Sequence, residues 1–278
     1  MSISINTIRE MKQKSEKFAM LTAYDYTTAQ IVDAVGVPLI LVGDSLGMVV
    51  LGYDSTIPVT MGDMLHHTKA VVRGVKNAIV VGDMPFMSYQ ISNKEALRNA
   101  TRFIQEGGAK AVKLEGGVNV AKTISKITGS GIPVMGHIGL TPQYIHQLGG
   151  FKIQGKSLEA ARRLLQDAMA LEEAGAFAVV LETVPSALAE YITQSIDIPT
   201  IGIGAGCGCD GQVQVISDIL GQFPDFVPKH AKQYAKLADA MSKAITDYQI
   251  EVRNGIFPTD EQSFPMDESI LEKLKKQN

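Results

Sequence analysis

The sequence predicts a (β/α)8 TIM barrel of the α/β class, and three observations carry that prediction. Short, nearly all-apolar runs rich in Val and Ile alternate with longer amphipathic segments. Repeated strand–helix alternation implies right-handed βαβ units and a parallel sheet. The chain has 278 residues, which suits one barrel of roughly 250 residues better than two ordinary domains.

The apolar runs, in order, are Phe18–Ala23, Leu39–Val42, Ala78–Val81, Ala111–Leu114, Pro133–Met135, Ala178–Leu181 and Thr200–Ile203. Strands buried on both faces of a parallel sheet read in this way. Gln212–Ser217, with Val213 and Val215 alternating, completes the eight, and leaves no room for a full helix after the seventh strand. Thr60 with Asp63, and Ser92 with Glu95, have the spacing of capping boxes that open helices. Ser157 precedes a stretch with Leu158, Ala161, Leu165 and Ala168 at helical spacing. Gly107-Gly108 and Gly175 stand where glycine ends a helix. A helix at Thr7–Lys12 is expected to plug the barrel floor, and Lys232–Tyr248 to be the last barrel helix. The tail from about Gly255 is polar, with a small amphipathic helix containing Ile270, Leu271 and Leu274. Residues 1–278 therefore read as a single barrel domain with a polar tail, without internal repeats or low-complexity segments.

Net charge is −3, from 26 basic and 29 acidic side chains, and no basic stripe of a nucleic-acid binder is visible. An anionic substrate would have to be held by local groups. Cys207 and Cys209 are the two cysteines. They are too close to bridge and too few for a disulfide framework. A C-x-C metal pair would lack a nearby Cys or His to complete four ligands. Met1–Lys17 has no apolar signal core, and no run of about 18 apolar residues spans a membrane. These features point to a cytoplasmic location.

Active sites of such barrels lie at the C-terminal strand ends. Asp44-Ser45 follows the second run, Asp83 the third, Glu115 the fourth and Glu182 the sixth. Any one of these acids could be a helix cap or a solvated loop acid. Four on one rim repel unless something neutralises them, and a hard divalent cation such as Mg2+ is suited to oxygen donors. Asp44, Asp83 and Glu115 lie on consecutive strands and can reach one ion directly or through water. Glu182 is placed across the barrel, free to act as a base. Lys113 shares a strand face with Glu115, so both point into the mouth or neither does. It could hold a substrate carboxylate or a developing enolate, or form a structural ion pair; neighbouring acids should keep it charged and poorly nucleophilic. His137 after the fifth run is a substrate contact or a hydrogen-bonded structural group. Ser45 offers a hydroxyl to a carboxylate, or caps a turn. The glycines of Ile201–Gly206 would let backbone approach a ligand, a weak signal by itself.

The strings DSLGMVVLGYDST, GDMPFMSY, VKLEGG, MGHIGLTPQ, LGGFKIQGK, IGIGAG and DGQVQV, in this order and spacing, closely resemble the ketopantoate hydroxymethyltransferase family over about residues 5–250. The resemblance implies a barrel of the phosphoenolpyruvate/pyruvate type. It implies transfer of a one-carbon unit from 5,10-methylenetetrahydrofolate to 3-methyl-2-oxobutanoate. The products would be 2-dehydropantoate and tetrahydrofolate, in the first step of pantothenate biosynthesis. Matching motifs put the metal on Asp44, Asp83 and Glu115, substrate contacts on Asp44, Ser45, Asp83 and Lys113, and the proton acceptor on Glu182. A cytoplasmic homo-oligomer, often a decamer, is also implied. Competing readings are a Mg-dependent carbon–carbon lyase or mutase of the same superfamily, which would need no folate, and a catalytically dead barrel used for assembly.

Overall fold

The computed structural model describes residues 3–223 and 227–277. Eight strands close into a barrel: β1 (Phe18–Thr22), β2 (Leu39–Val42), β3 (Ile79–Asp83), β4 (Ala111–Glu115), β5 (Val134–Gly139), β6 (Ala178–Glu182), β7 (Thr200–Ile203) and β8 (Gly211–Gln214). Every neighbouring pair is parallel, and β8 returns to β1 through Met20 opposite Val213.

Strand alternation sorts each residue inward or outward. Phe18, Met20, Leu39, Leu41, Ile79, Val81, Ala111, Met135, Ala178, Val180, Ile201, Ile203 and Val213 form the barrel's apolar interior. The helix Ile5–Gln13 closes the floor: Ile8 is fully buried in that cluster, with Ile3, Ile5 and Met11 packed against it. Lys12 anchors the plug by donating to the carbonyls of Thr193 (2.8 Å) and Ile198 (3.0 Å) and pairing with Asp210 (3.1 Å).

The outer helices start where their caps dictate. Thr60 and Asp63 form a reciprocal capping box before Met61–Gly74. Ser92 and Ser157 accept the N–H of Glu95 and Ala160 before Asn93–Gln105 and Leu158–Glu173. Asp33, near the end of the helix Tyr26–Ala34, accepts the backbone N–H of Lys76 (3.0 Å), Asn77 (3.0 Å) and Ala78 (2.8 Å). That cap sets the entry into β3.

Two sequence expectations shift. The eighth strand lies at Gly211–Gln214, and Ile216–Leu220 forms a short helix instead of continuing the strand. The Thr22 hydroxyl accepts the Ile216 N–H at 2.9 Å and helps turn the chain off the ladder. β3, β4, β5 and β6 also run further than their apolar runs, so that Asp83, Glu115, His137 and Glu182 lie within the ladder. No helix separates β7 from β8, as the spacing predicts; the outer wall there carries a cleft of about 440 Å3 lined by Phe18, Gly204, Gly206, Cys207, Cys209 and Gln212. Both cysteines are free, Cys207 exposed and Cys209 buried.

The chain divides into two compact units, residues 1–219 with 228–232, and residues 220–227 with 233–278. The second holds the helix Leu237–Arg253, later at both ends than the pattern suggests, and the tail helix Glu268–Lys275. Neither helix buries a side chain within the chain. Among the described residues no helix is long and apolar enough to cross a membrane.

Candidate active site

The parity that fills the barrel with apolar side chains also builds its rim. Ile79 and Val81 point inward, so Asp83 does; Ala111 points inward, so Lys113 and Glu115 do. Met135 is followed two residues later by His137, and Ala178 and Val180 by Glu182. Register places Asp83 beside Lys113 and Glu115 beside His137. Asp44 and Ser45 stand just beyond β2. Asp44, Asp83, Lys113, Glu115 and His137 are all buried.

Specific contacts join them. Lys113 Nζ lies 2.7 Å from Asp83 Oδ1, and the Asp44 N–H donates to Asp83 Oδ2 at 3.2 Å. His137 lies between two carboxylates, Nδ1 at 3.5 Å from Glu115 Oε1 and Nε2 at 3.2 Å from Glu182 Oε2. Glu182 is therefore one imidazole away from Glu115, where the sequence placed it simply across the barrel. Gly139 makes this approach possible: its φ is +96°, and a Cβ there would sit 2.3 Å from the Glu182 carbonyl oxygen. Thr183, in the left-handed region at φ 52°, turns the chain after Glu182, its N–H donating to the Ile203 carbonyl at 2.8 Å. Ser45 makes no capping bond; its Oγ lies 2.9 Å from the buried Tyr24 hydroxyl.

The electrostatics are those of crowded acids. Burial pushes the Asp44 carboxyl well above the usual carboxylate range, reinforced by Asp83 and Glu115 and opposed by Lys113 and Gln143. Burial pulls the Lys113 ammonium down, but Asp83, Glu115 and Asp44 outweigh it and hold the side chain charged. That is the opposite of what a Schiff-base lysine requires. Burial and Lys113 also pull His137 down, yet the Glu115 and Glu182 carboxylates on either side of it raise it to about 9.

Sequence reasoning missed the residue that organises the acids. Gln143 follows β5 in a 3-10 turn, Pro142–Tyr144, and is buried. Its N–H donates to Glu115 Oε2 at 3.0 Å. Its Nε2 donates to Asp44 Oδ2 and to the Met84 carbonyl, both at 2.9 Å. Its Oε1 accepts from the Tyr89 hydroxyl at 2.8 Å. The only sequence signal was Gln143's place at the end of MGHIGLTPQ, and Tyr89's at the end of GDMPFMSY.

The donor set fits a hard cation. It is all oxygen, and four carboxylates face two cationic side chains, so a divalent ion would balance the charge and relieve the crowding that raises Asp44. Among the described residues, however, no group of three or more His, Cys, Asp or Glu stands ready as a metal-ligand set. Lys113 engages one Asp83 oxygen, and His137 and Gln143 engage Glu115. This suits Mg2+, which commonly takes only one or two carboxylates and completes its shell with water and substrate.

Among solved structures, the fold is similar to 2,3-dimethylmalate lyase, a PEP mutase/isocitrate lyase superfamily member (TM-score 0.58, 17% identity, 100% of this chain and 99% of that one). It is also similar to phosphonopyruvate hydrolase in complex with oxalate and Mg2+ (TM-score 0.61, 13% identity, 99% and 96% covered). Fold and rim together define a closed parallel (β/α)8 barrel that carries a buried acid–lysine cluster at the C-terminal ends of its strands. A 3-methyl-2-oxobutanoate hydroxymethyltransferase of Dehalococcoides mccartyi is 65% identical over 276 residues, covering 99% of this chain and 98% of the relative. A family profile described as ketopantoate hydroxymethyltransferase matches residues 2–260. The chain belongs to the ketopantoate hydroxymethyltransferase family.

Proposed function

We propose that the rim of this barrel transfers a hydroxymethyl group from 5,10-methylenetetrahydrofolate to 3-methyl-2-oxobutanoate, with Mg2+ held by Asp44 and Asp83 and, directly or through water, by Glu115. When bound, the ion withdraws electron density from the oxygens of the 2-oxo acid and acidifies C3. Ser45, held by Tyr24, and the charged Lys113 orient the substrate carboxylate. Glu182 takes the C3 proton, and Lys113 stabilises the negative charge left on the enolate oxygen. C3 then bonds to the methylene carbon, both of that carbon's bonds to folate nitrogens break, and one water supplies the hydroxyl oxygen; the proton from C3 and one from that water end on the two nitrogens of tetrahydrofolate. His137 orients Glu182 and faces the substrate beside Lys113, whose Nζ lies 3.4 Å from His137 Nδ1. The Mg-bound phosphonopyruvate hydrolase neighbour supports the metal. The unburied stripe of Met241, Ile245, Tyr248 and Val252 on the helix Leu237–Arg253 supports a homo-oligomer, with a decamer as the family expectation. A cytoplasmic location follows from the same family reading.

The observation that carries the proposal is a candidate base, Glu182, set one imidazole away from a buried acid–lysine cluster. Deprotonation needs no folate. The wild-type protein with Mg2+ should therefore exchange the C3 hydrogen of 3-methyl-2-oxobutanoate for deuterium, followed by proton NMR. Glu182→Gln should slow exchange by roughly 10²–10⁴-fold while still binding Mg2+. Equal exchange by the variant would remove Glu182 as the base and leave His137 as the next candidate.

A further inference from the structure

A second cleft, of about 410 Å3, lies beside the acid cluster and has no part in the chemistry described above. Its walls come from the segment after β2 and the segment after β5. Met48, Pro142, Ile145 and Phe151 are its apolar surfaces; Asp54 and Thr56 are among its polar ones. It touches the rim of the barrel at two points. Met48 lies on the four-residue helix that begins directly after Ser45. Pro142 immediately precedes Gln143, which bonds both Asp44 and Glu115. A molecule in the cleft would therefore contact the two segments that carry Ser45 and Gln143.

The lining has an unmet hydrogen-bonding need. Thr56 is 4% exposed and its hydroxyl has no partner, although its carbonyl accepts the Val59 N–H at 3.2 Å. A buried unpaired hydroxyl costs free energy, so something that bonds it would be favoured. Phe151, which also lines the cleft, is 64% exposed, an aromatic side chain left in water. A flat heterocycle would cover Phe151, Met48 and Ile145, while its polar edge met Thr56 and Asp54. The pterin of a reduced folate has that form: an apolar face, ring acceptors for a hydroxyl, and adjacent N–H groups that suit a carboxylate such as Asp54. Lys152, whose ammonium lies over Gly149 at the rim of the cleft, would then meet the anionic glutamyl end.

We propose that the cleft between Met48, Thr56, Pro142, Ile145 and Phe151 receives the pterin ring of the one-carbon donor, beside the Asp44–Gln143–Glu115 cluster. This rests on the folate-dependent transfer proposed above. The test compares wild type with Phe151→Ala, Thr56→Val and Thr56→Ser. Three quantities are read: the KM for 5,10-methylenetetrahydrofolate, tetrahydrofolate binding by calorimetry, and folate-free C3 exchange. Losing the aromatic face should raise the folate KM and the tetrahydrofolate Kd by about tenfold. Thr56→Val should weaken both several-fold, and Thr56→Ser, which keeps the hydroxyl, should restore them. C3 exchange should stay at the wild-type rate throughout, since it needs only the rim. Folate KM and Kd within twofold of wild type in both Phe151→Ala and Thr56→Val would overturn the proposal. So would a fall in C3 exchange parallel to transfer, which would make the cleft part of the 2-oxo acid site. A change in oligomer size with unchanged tetrahydrofolate affinity would instead assign the Phe151 face to a second copy of the chain, and would also overturn it. A wild-type protein that binds tetrahydrofolate here but neither exchanges nor transfers would sink the proposed reaction and leave the cleft assignment standing.

Discussion

Gln143→Met offers the sharpest probe of how the acids are held. Methionine keeps the length of the side chain and removes the amide. The backbone bond from residue 143 to Glu115 survives, so only the Asp44 side of the bridge is cut. A hydrogen bond to a charged group contributes about 1.5–3 kcal/mol. Losing an outer partner of a metal ligand typically costs about 10–100-fold in metal affinity. The variant should therefore need 10–100-fold more Mg2+ for half-saturation, measured by calorimetry and by the Mg2+-induced shift in melting temperature. The Tyr89 hydroxyl and Met84 carbonyl also lose their Gln143 partner, at an expected cost of about 1–3 kcal/mol in unfolding free energy, read in urea. Circular dichroism should report an intact barrel. Unchanged Mg2+ affinity in a folded variant would refute the reasoning, because Asp44 would then be positioned without the amide.

Lys113→Met should lower kcat by about 10²–10³, the usual effect of deleting a group that stabilises developing negative charge. Steady-state kinetics would show it, and an unaffected kcat would reduce Lys113 to a structural partner of Asp83. Borohydride should trap no substrate adduct on the wild-type lysine, because its three acidic neighbours hold it charged. Asp33→Ala should cost about 1–3 kcal/mol at neutral pH, since the buried Ala78 N–H loses its acceptor. Burial pushes the Asp33 carboxyl up, but its bonds from Ala78, Lys76 and Asn77 outweigh this and hold it below its ordinary value. The stabilisation is thus present above the ordinary carboxylate pKa and is lost as pH falls through the lower folded one. The gap between wild type and variant in urea titrations should narrow below about pH 4. A pH-independent gap would mean the carboxylate charge is not the cause.

Much of this protein could be read along the chain, because strand and helix periods are local properties. Unbroken apolar runs located seven strands, the alternation of Val213 and Val215 located the region of the eighth, and Thr60, Ser92 and Ser157 marked the helix starts. The period of two predicted that Lys113 and Glu115 share a face, and the barrel interior decides that this face is inward. What the chain could not reveal lies in pairings between distant segments. Gln143 reaches Asp44 across 99 positions, and Tyr24 meets Ser45 across 21. No local pattern encodes such distances; they exist only once the barrel closes and its strand ends share one mouth. The same closure set His137 between Glu115 and Glu182, and engaged the acids with Lys113 and Gln143 rather than leaving them as bare ligands. Sequence alone determined which residues could carry charge to the rim, because side-chain direction alternates along a strand. Tertiary structure decided which of those charges meet, because partners from different strands are brought within hydrogen-bond reach only by the register and closure of the sheet.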